Sequence, residues 1–315
     1  MEKIVVLKGG NSPERDVSLV SGREIATELQ NQGYSVIQLD PSDYCDFTEL
    51  LLDIKKEEPL LVFIGLHGGD GENGEIQAAL KAAGIKHSGS GFKACCVTMD
   101  KYLSKLVVAQ EGIPVAKHIL MRGDLIEDYG DPEDYASFAE KLGLPIIVKP
   151  NDAGSSVGIS RVDSLDGLKQ AVKDAFSVSP TILLEEYIPG KELTVTVLDG
   201  KALPVVEIKP LNGWYDYTNK YQKGKTEYIA PAQLDESVAM LIQLYAERIW
   251  KAMELTAYAR IDFRYDGVKA YFLEVNTLPG MTPLSLTPMA AKAAGLSFGD
   301  LLKHIIKFSL RDAGR

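Results

Sequence analysis

Two short acidic motifs, Arg260-Ile-Asp262-Phe and Glu274-Val-Asn276-Thr, have the residue types of a metal site. Between them, Asp-Gly at 266–267 predicts a hairpin turn, so the two segments should be antiparallel neighbours. Side chains alternate faces along a strand, so Arg260 and Asp262 share one face and Glu274 and Asn276 share another. Two carboxylates and an amide oxygen on adjoining strands suit Mg²⁺. A solvated strand face that carries charges by chance is the alternative.

A second group of residues could bind phosphate. Lys149 ends an apolar strand, and the glycine-containing loop at 151–158 has adjacent hydroxyls at Ser155 and Ser156. Backbone N–H groups exposed by glycine can surround phosphate oxygens, and the lysine adds charge. The Walker A pattern is absent from the sequence. Taken alone, such a loop is more often a turn, and Lys101, at a helix start, is more often a surface lysine.

A third group, Glu185-Glu186-Tyr187-Ile188 followed by Glu192, closes another apolar strand. Backbone groups at a strand end can bind an adenine edge, and the later carboxylate can bind ribose hydroxyls. Surface acids on a strand are the alternative interpretation of this segment.

The elements that must position these residues alternate between strand and helix over the first hundred residues. A strand at 3–7, a helix at 17–32 and strands at 34–39 and 60–66 predict a parallel sheet flanked by helices, with any site at the carboxyl ends of its strands. The segments Gly9-Gly10 and His67-Gly-Gly lie at such ends.

The remainder of the chain has a different pattern. Helices are predicted at 101–110, 236–255 and 298–310, and strands at 116–121, 145–148, 157–162, 182–188, 193–198, 202–208, 257–265 and 269–275. The aromatic and polar stretch at 210–231 is too long for an idle connection in a compact domain, which predicts a lid or binding loop.

Together and in this order, the motifs resemble those of the ATP-grasp superfamily. More narrowly, the whole chain resembles the D-alanine–D-alanine ligase family. The stretches that carry this resemblance are Gly9-Gly-Asn-Ser-Pro-Glu14-Arg15-Asp-Val-Ser18, His67-Gly-Gly-Asp-Gly-Glu72-Asn-Gly, Met99-Asp-Lys101, Lys149-Pro, Gly154-Ser155-Ser156-Val-Gly158, Tyr215-Asp-Tyr217 with Lys220-Tyr221, Arg260-Ile-Asp262-Phe, Glu274-Val-Asn276-Thr-Leu-Pro-Gly280-Met-Thr and Ser285-Leu286.

The resemblance implies an α/β fold. An N-terminal Rossmann-like, parallel-sheet (pre-ATP-grasp) domain at 1–100 precedes a two-lobed α+β ATP-grasp domain. Its small lobe would span 101–190, and its large lobe 191–315 with the lid at 210–231. The implied activity is ATP-dependent ligation of two D-alanine molecules through an acyl phosphate, for peptidoglycan and hence cell-wall synthesis and cell shape.

The resemblance also implies roles for individual residues. ATP would be bound by Lys101, Lys149, Ser156, Glu185, Glu186, Ile188, Glu192 and Lys220. Mg²⁺, as two ions with Mn²⁺ as a substitute, would be bound by Asp262, Glu274 and Asn276. The first D-alanine would be held by Glu14, which would form a hydrogen-bonded group with Ser155 and Tyr221. The tetrahedral oxyanion would face Arg260 and the Gly280 N–H. The second carboxylate would be held by Ser285 and the Leu286 N–H, and His67 would line the substrate site.

Composition limits the other functional classes. The formal net charge of −10 opposes a nucleic-acid role, which needs a basic face. No apolar run is long enough for a membrane span, and the first residues do not have the pattern of a signal peptide. Cys45, Cys95 and Cys96 lack metal-ligand spacing and are interpreted as reduced thiols of a cytoplasmic protein. The family resemblance also implies a homodimer.

Two alternatives stay open at this stage. A related ligase could use D-serine or D-lactate as its second substrate, although relatives that use D-lactate tend to have histidine at the position of Tyr221. A nucleotide-binding regulator without catalysis is the other alternative, and the intact set of Arg260, Asp262, Glu274 and Asn276 argues against it. The sequence departs from the family at His87, where tyrosine is expected, and at 257–259, which lacks a glycine.

Overall fold

The computed structural model describes residues 1–123, 132–154, 157–211, 225–282 and 285–312. Within these ranges the strands form three sheets. No helix in these ranges is both long and apolar enough to cross a membrane.

The first sheet is parallel and has the order β2-β1-β3. Its strands and the helices around it are β1 (Lys3–Leu7), α1 (Arg15–Asn31), β2 (Ser35–Leu39), α2 (Phe47–Lys56), β3 (Leu61–Ile64), α3 (Glu75–Ala82) and α4 (Phe92–Met99). Every residue of β3 and the last four of β1 are buried, as expected for parallel strands covered on both faces. The glycine loops predicted to follow β1 and β3 therefore do lie at the carboxyl edge of this sheet.

The second sheet is antiparallel and has the order β4-β7-β5-β6. This part of the chain contains α5 (Lys101–Gln110), β4 (His118–Arg122), α6 (Pro132–Leu142), β5 (Ile146–Pro150), β6 (Ser160–Val162), α7 (Leu165–Phe176) and β7 (Thr181–Glu186). The strand predicted at 157–162 is shorter than expected, because Gly158 has a positive φ of 70° and the chain enters the sheet only at Ser160.

The third sheet has the order β11-β10-β8-β12-β13, and β9 pairs with β8. Its elements and the helices that follow are β8 (Lys191–Leu198), β9 (Lys201–Ala202), β10 (Val206–Pro210), β11 (Thr226–Ile229), α8 (Glu236–Ala252), β12 (Tyr258–Tyr265), β13 (Ala270–Asn276), α9 (Leu286–Ala293) and α10 (Phe298–Asp312). The single strand predicted at 202–208 is wrong, since the structure divides it into β9 and β10. Pro204 lies in the break and has no N–H to give to a ladder.

The hydrophobic core of the first sheet is shared with the C-terminal end of the chain. Leu301, Leu302, Ile305 and Ile306 of α10 are buried in one cluster with β1, β3 and α1. The same cluster includes Leu198, Val206 and Tyr258 of the third sheet, and two further clusters lie under the second and third sheets. Each sheet falls within one of the three segments predicted from sequence, while the boundaries near 100 and 190 remain predictions.

Candidate active site

The paired strands β12 and β13 carry the acidic centre. Arg260 lies opposite Asn276 and Asp262 lies opposite Glu274, so the predicted antiparallel hairpin is confirmed. The buried carboxylate of Asp262 accepts two hydrogen bonds from Arg260, from Nε at 3.0 Å and from Nη2 at 2.9 Å. It also accepts from Asn276 Nδ2 at 3.1 Å and from the hydroxyl of Thr194 on β8. These charge-assisted contacts fix the carboxylate before any ligand arrives.

The oxygen donors of this centre fit a small hard cation. Across the described ranges, no group of three or more His, Cys, Asp and Glu side chains could hold a metal. The predicted ligands are instead two carboxylates, directly opposite each other, and the amide of Asn276. Mg²⁺ takes few protein ligands and completes its shell with water and substrate phosphates, so this donor set suits it.

Lysine side chains bring positive charge to the same centre. Lys101, the first residue of α5, is buried, and its Nζ lies 2.7 Å from the carbonyl oxygen of Ala153 and 3.7 Å from Glu274 Oε2. On β5, Lys149 is also buried, and its Nζ lies 2.9 Å from Glu185 Oε1. The two predicted phosphate lysines thus each pair with a carboxylate of a neighbouring strand.

The predicted nucleotide segment at the end of β7 is held by neighbouring elements. The carboxylate of Glu186 accepts from the Lys117 N–H at 2.8 Å, so its side chain bonds to the backbone just before β4. Arg264 donates to the carbonyl oxygens of Ile188 and Gly190 at 3.1 and 3.0 Å and pairs with Glu192 at 3.3 Å. One guanidinium therefore connects the segment after β7 with the acid predicted to bind ribose.

Glu14 lies between two glycine loops. A Cβ placed on Gly68 would come within 2.6 Å of Glu14 Oε2, and one on Gly154 within 2.9 Å. Only residues without a side chain let both loops approach this carboxylate so closely. The loops come from different segments of the chain, so Glu14 marks the place where the first and second segments meet.

His67 joins the first sheet to the loop after β13. Its Nδ1 lies 2.9 Å from the Leu278 carbonyl oxygen and its Nε2 lies 2.8 Å from Ser21 Oγ. Burial lowers the pKa of His67, so the ring is neutral at physiological pH, with Nδ1 as donor and Nε2 as acceptor. Because both ring nitrogens bond to the protein, any contribution to substrate binding is made through the loops that the ring joins.

Glu72 is a further acid in this region, and burial, followed by the charge of Glu14, raises its pKa to about 8. At neutral pH Glu72 is therefore mostly protonated, which limits the negative charge beside Glu14.

The N-terminus of α9 closes another side of the site. Ser285 precedes this helix, and its Oγ accepts from the Thr282 N–H at 3.1 Å and lies 2.8 Å from Thr282 Oγ1. A Cβ on Gly280 would lie 2.9 Å from the same Oγ, so the 280–282 backbone packs directly against Ser285. The first N–H groups of a helix attract anions, which makes this end suitable for a carboxylate.

Several of these elements line one cavity of about 760 Å³. The predicted site residues that line it are Glu14, His67, Lys101, Glu192, Arg260, Asp262, Glu274, Asn276, Gly280, Ser285 and Leu286. Lys149, Glu185, Glu186 and Ile188 do not line this cavity. Ser155, Ser156, Lys220 and Tyr221 lie outside the described residues, as does the part of the predicted lid at 212–224. The prediction of one loop over 210–231 is wrong at its end, because Thr226–Ile229 form β11 and pair with β10.

The whole chain is similar to several known proteins. The family model described as "D-ala D-ala ligase C-terminus" matches residues 107–307. A D-alanine–D-alanine ligase of Polaromonas sp. is 40% identical, with 98% of this chain and 91% of the relative covered. The crystal structure of D-alanine–D-alanine ligase from Bacillus anthracis complexed with ATP has a TM-score of 0.82 at 30% identity, covering 100% of this chain and 99% of that chain. VanG D-Ala:D-Ser ligase from Enterococcus faecalis has a TM-score of 0.83 at 29% identity, covering 98% and 99%.

The fold is that of an ATP-grasp enzyme, which confirms the predicted fold class. The chain belongs to the D-alanine–D-alanine ligase family.

Proposed function

We propose that this enzyme joins two D-alanine molecules to D-alanyl-D-alanine, with conversion of ATP to ADP and phosphate. The observation that carries the proposal is the placement of Arg260, Asp262, Glu274 and Asn276 on two paired strands, in one cavity with Glu14 and the start of α9. A cation-binding acidic centre thus lies between a carboxylate suited to an ammonium group and a helix end suited to a carboxylate. This is the chemistry needed to handle two amino acids and a nucleotide.

Activation of the first substrate is the first chemical problem, because a carboxylate is a poor electrophile. Transfer of the ATP γ-phosphoryl group to the carboxylate oxygen makes an acyl phosphate and releases ADP. Lys101 and Lys149 would offset the phosphate charge, while Glu192 would bind ribose and the backbone at 185–188 the adenine. Asp262, Glu274 and Asn276 would hold Mg²⁺, as two ions with Mn²⁺ as a substitute, which supplies further charge neutralisation of the phosphates when bound.

Formation of the peptide bond follows. The neutral amine of the second D-alanine attacks the acyl carbon, and the carbonyl oxygen becomes an oxyanion. The nitrogen then gives up one proton, and the carbonyl re-forms as inorganic phosphate leaves and takes up that proton. Arg260 and the Gly280 N–H would stabilise the oxyanion, and Glu14 would hold the ammonium of the first substrate. Ser285 and the Leu286 N–H would hold the carboxylate of the second substrate. The bidentate contact of Arg260 with Asp262 supports this role because it fixes the guanidinium beforehand.

The remaining predicted contacts belong to residues outside the described ranges. Ser155 and Tyr221 would complete the hydrogen-bonded group around Glu14, and Ser156 and Lys220 would bind ATP phosphates. The lid predicted at 210–231 would exclude water, which otherwise hydrolyses the acyl phosphate.

The cellular setting is proposed from the substrates. ATP and the free thiols of Cys45, Cys95 and Cys96 support a reducing, cytoplasmic location, where the dipeptide would enter peptidoglycan precursors. Small molecules are the expected partners, with a second copy of the chain as the expected homodimer partner.

D-serine is the second candidate for the amine substrate, because a D-Ala:D-Ser ligase shares this fold at 29% identity. Incubation of the protein with ATP, Mg²⁺ and equimolar D-alanine, D-serine and D-lactate, followed by mass spectrometry, distinguishes the candidates. We expect D-alanyl-D-alanine as the main product. If D-alanyl-D-serine is the main product, D-serine is the second substrate.

A variant pair then tests whether the acidic centre carries the reaction. Asp262→Asn should abolish product formation, whereas Asp163→Asn, in an exposed pair with Arg161, should leave it unchanged. Product formation by Asp262→Asn at the wild-type rate would refute the site.

A further inference from the structure

Lys105 is a buried cation that has no role in the function proposed above. It lies on α5 one turn after Lys101, and its side chain is completely buried. Its Nζ lies 3.1 Å from Glu185 Oε1 and 6.0 Å from the ring centroid of Phe272. Lys105 is not among the residues that line the 760 Å³ cavity. One helix therefore gives one lysine to the cavity and a second to the layer beneath it.

The carboxylate that Lys105 contacts is shared with Lys149. Lys149 Nζ lies 2.9 Å from the same Oε1 of Glu185. The charge attraction of the two ammonium groups is a larger influence on the Glu185 carboxylate than their hydrogen bonds to it. The cluster therefore contains two buried ammonium groups but only one buried carboxylate.

The carboxylate of Glu185 and the ammonium group of Lys105 are both charged at neutral pH. Burial lowers the pKa of Lys105 to about 8, with the charge of Glu185 acting in the opposite direction. Burial alone would raise the pKa of Glu185, but Lys105 and Lys149 outweigh it and lower the pKa to about 2. The cluster thus has one net positive charge.

The number of charges decides what Lys149 can offer to a ligand. With Lys105 in place, Glu185 is neutralised from beneath and one positive charge remains at the end of β5. Without Lys105, Glu185 and Lys149 would neutralise each other. A lysine that only filled space in this core would be a poor choice, because a buried cation is costly and an apolar side chain would pack as well.

We propose that Lys105 is a positioning residue for the nucleotide, neutralising Glu185 so that the charge of Lys149 remains available to the ATP phosphates. The inference rests on the proposed function in that Lys149 is taken to face phosphate. It extends that function by assigning a role to a residue that does not touch substrate.

The test compares nucleotides that differ in phosphate content. Isothermal titration of wild type, Lys105→Met, Glu185→Gln and the double variant with ATP, ADP and adenosine gives the ratio of ATP affinity to adenosine affinity. Lys105→Met should lower this ratio by on the order of tenfold, because one charge beside the phosphates is lost. Glu185→Gln should keep or raise the ratio. The double variant restores one net charge and should return the ratio to within about threefold of wild type.

A purely structural role predicts a different pattern. If Lys105→Met weakens adenosine and ATP binding equally, or leaves the ratio unchanged, the proposal is overturned. The proposal is also overturned if the ratio of ATP affinity to adenosine affinity in the double variant is as low as in Lys105→Met. If Lys105→Met does not fold, Glu185→Gln decides, since a tenfold lower ratio in that variant would show that Glu185 does not oppose phosphate binding.

This experiment also separates the inference from the proposed function. The titrations use no D-alanine, so a wild-type protein that binds ATP but makes a different dipeptide leaves the role of Lys105 intact. Thermal unfolding of each variant, read beside the titrations, separates loss of fold from loss of phosphate affinity.

Discussion

Asp40 should stabilise the loop that places Glu14, and its contribution can be estimated from its surroundings. Its carboxylate accepts from the Gly10 N–H at 2.9 Å and the Ser42 N–H at 3.0 Å, and its Oδ2 lies 2.8 Å from Arg15 Nη2. Burial alone would raise the pKa of Asp40, but Arg15 and the N–H donors outweigh it and lower the pKa from 3.8 to about 2. Since one pKa unit corresponds to about 1.4 kcal/mol, this environment favours the charged form by about 2 kcal/mol.

Asp40→Asn keeps the shape of the side chain and removes its charge. The amide nitrogen or oxygen must then face Arg15 without the ion pair, so we expect the free energy of unfolding to fall by about 2 kcal/mol at pH 7. The folded-state pKa is the lower one, so the stabilisation is present above pH 3.8 and is lost as the pH falls through about 2. The difference between wild type and variant should stay constant from pH 7 to pH 5 and decrease to about 1 kcal/mol at pH 3.

Urea denaturation of both proteins at pH 7, 5 and 3, followed by circular dichroism, measures this difference. Asp163→Asn is the matched control, because it removes an aspartate from an exposed pair with arginine and should cost less than about 1 kcal/mol. Equal stability of Asp40→Asn and wild type at pH 7 would refute the reasoning. A difference that does not shrink at pH 3 would show that the cost is steric and not electrostatic.

Three further predictions concern the cavity. Glu274→Gln removes one charge from the proposed cation site, so the Mg²⁺ concentration needed for half-maximal activity should rise by about tenfold or more. An unchanged Mg²⁺ requirement would contradict the metal assignment. Arg260→Lys keeps the charge and loses the planar guanidinium, so kcat should fall on the order of 100-fold while ATP affinity, measured by titration, changes little. A preserved kcat with weakened ATP binding would instead place Arg260 at the nucleotide. Gly154→Ala puts a methyl group 2.9 Å from Glu14 Oε2, so the KM for the first D-alanine should rise by about tenfold while the thermal unfolding temperature stays unchanged. An unaltered KM would mean that Glu14 does not hold this substrate.

The acidic centre could be predicted from sequence because its geometry is local. The Asp-Gly turn fixes the hairpin, and alternation along two short strands then decides which side chains share a face. The register of Asp262 with Glu274 is the result. The predicted helix at 101–110 is confirmed at both ends. Its start is predictable because Asp100 accepts a hydrogen bond from the Leu103 N–H and caps the helix.

Contacts between distant segments could not be predicted in this way. Lys105 is spaced like a surface lysine of an amphipathic helix. Only the tertiary packing of α5 buries it, between Phe272 of β13 and Glu185 of β7. Arg264 continues the alternation of Arg260 and Asp262, so its strand position was available, but its contacts with Ile188 and Gly190 depend on how β8 and β12 pair. The departure at 257–259 also has a structural meaning: Ala257 has a φ of 56°, a conformation that glycine adopts without strain.

The packing of α10 against the first sheet has a consequence for how the chain acquires its structure during synthesis. β1 is made first and α10 after every other described element, yet their side chains bury one another. The face of the first sheet that α10 covers must therefore stay exposed, or be covered temporarily by something else, while the second and third sheets are being made. Pairings between residues so far apart in sequence also form late in folding, because the entropy of closing a long loop opposes them. Removal of α10 should thus expose the side of the first sheet that it buries, while His67 still joins this sheet to the loop after β13. A nascent chain that stalls before residue 298 should be vulnerable to aggregation through this sheet.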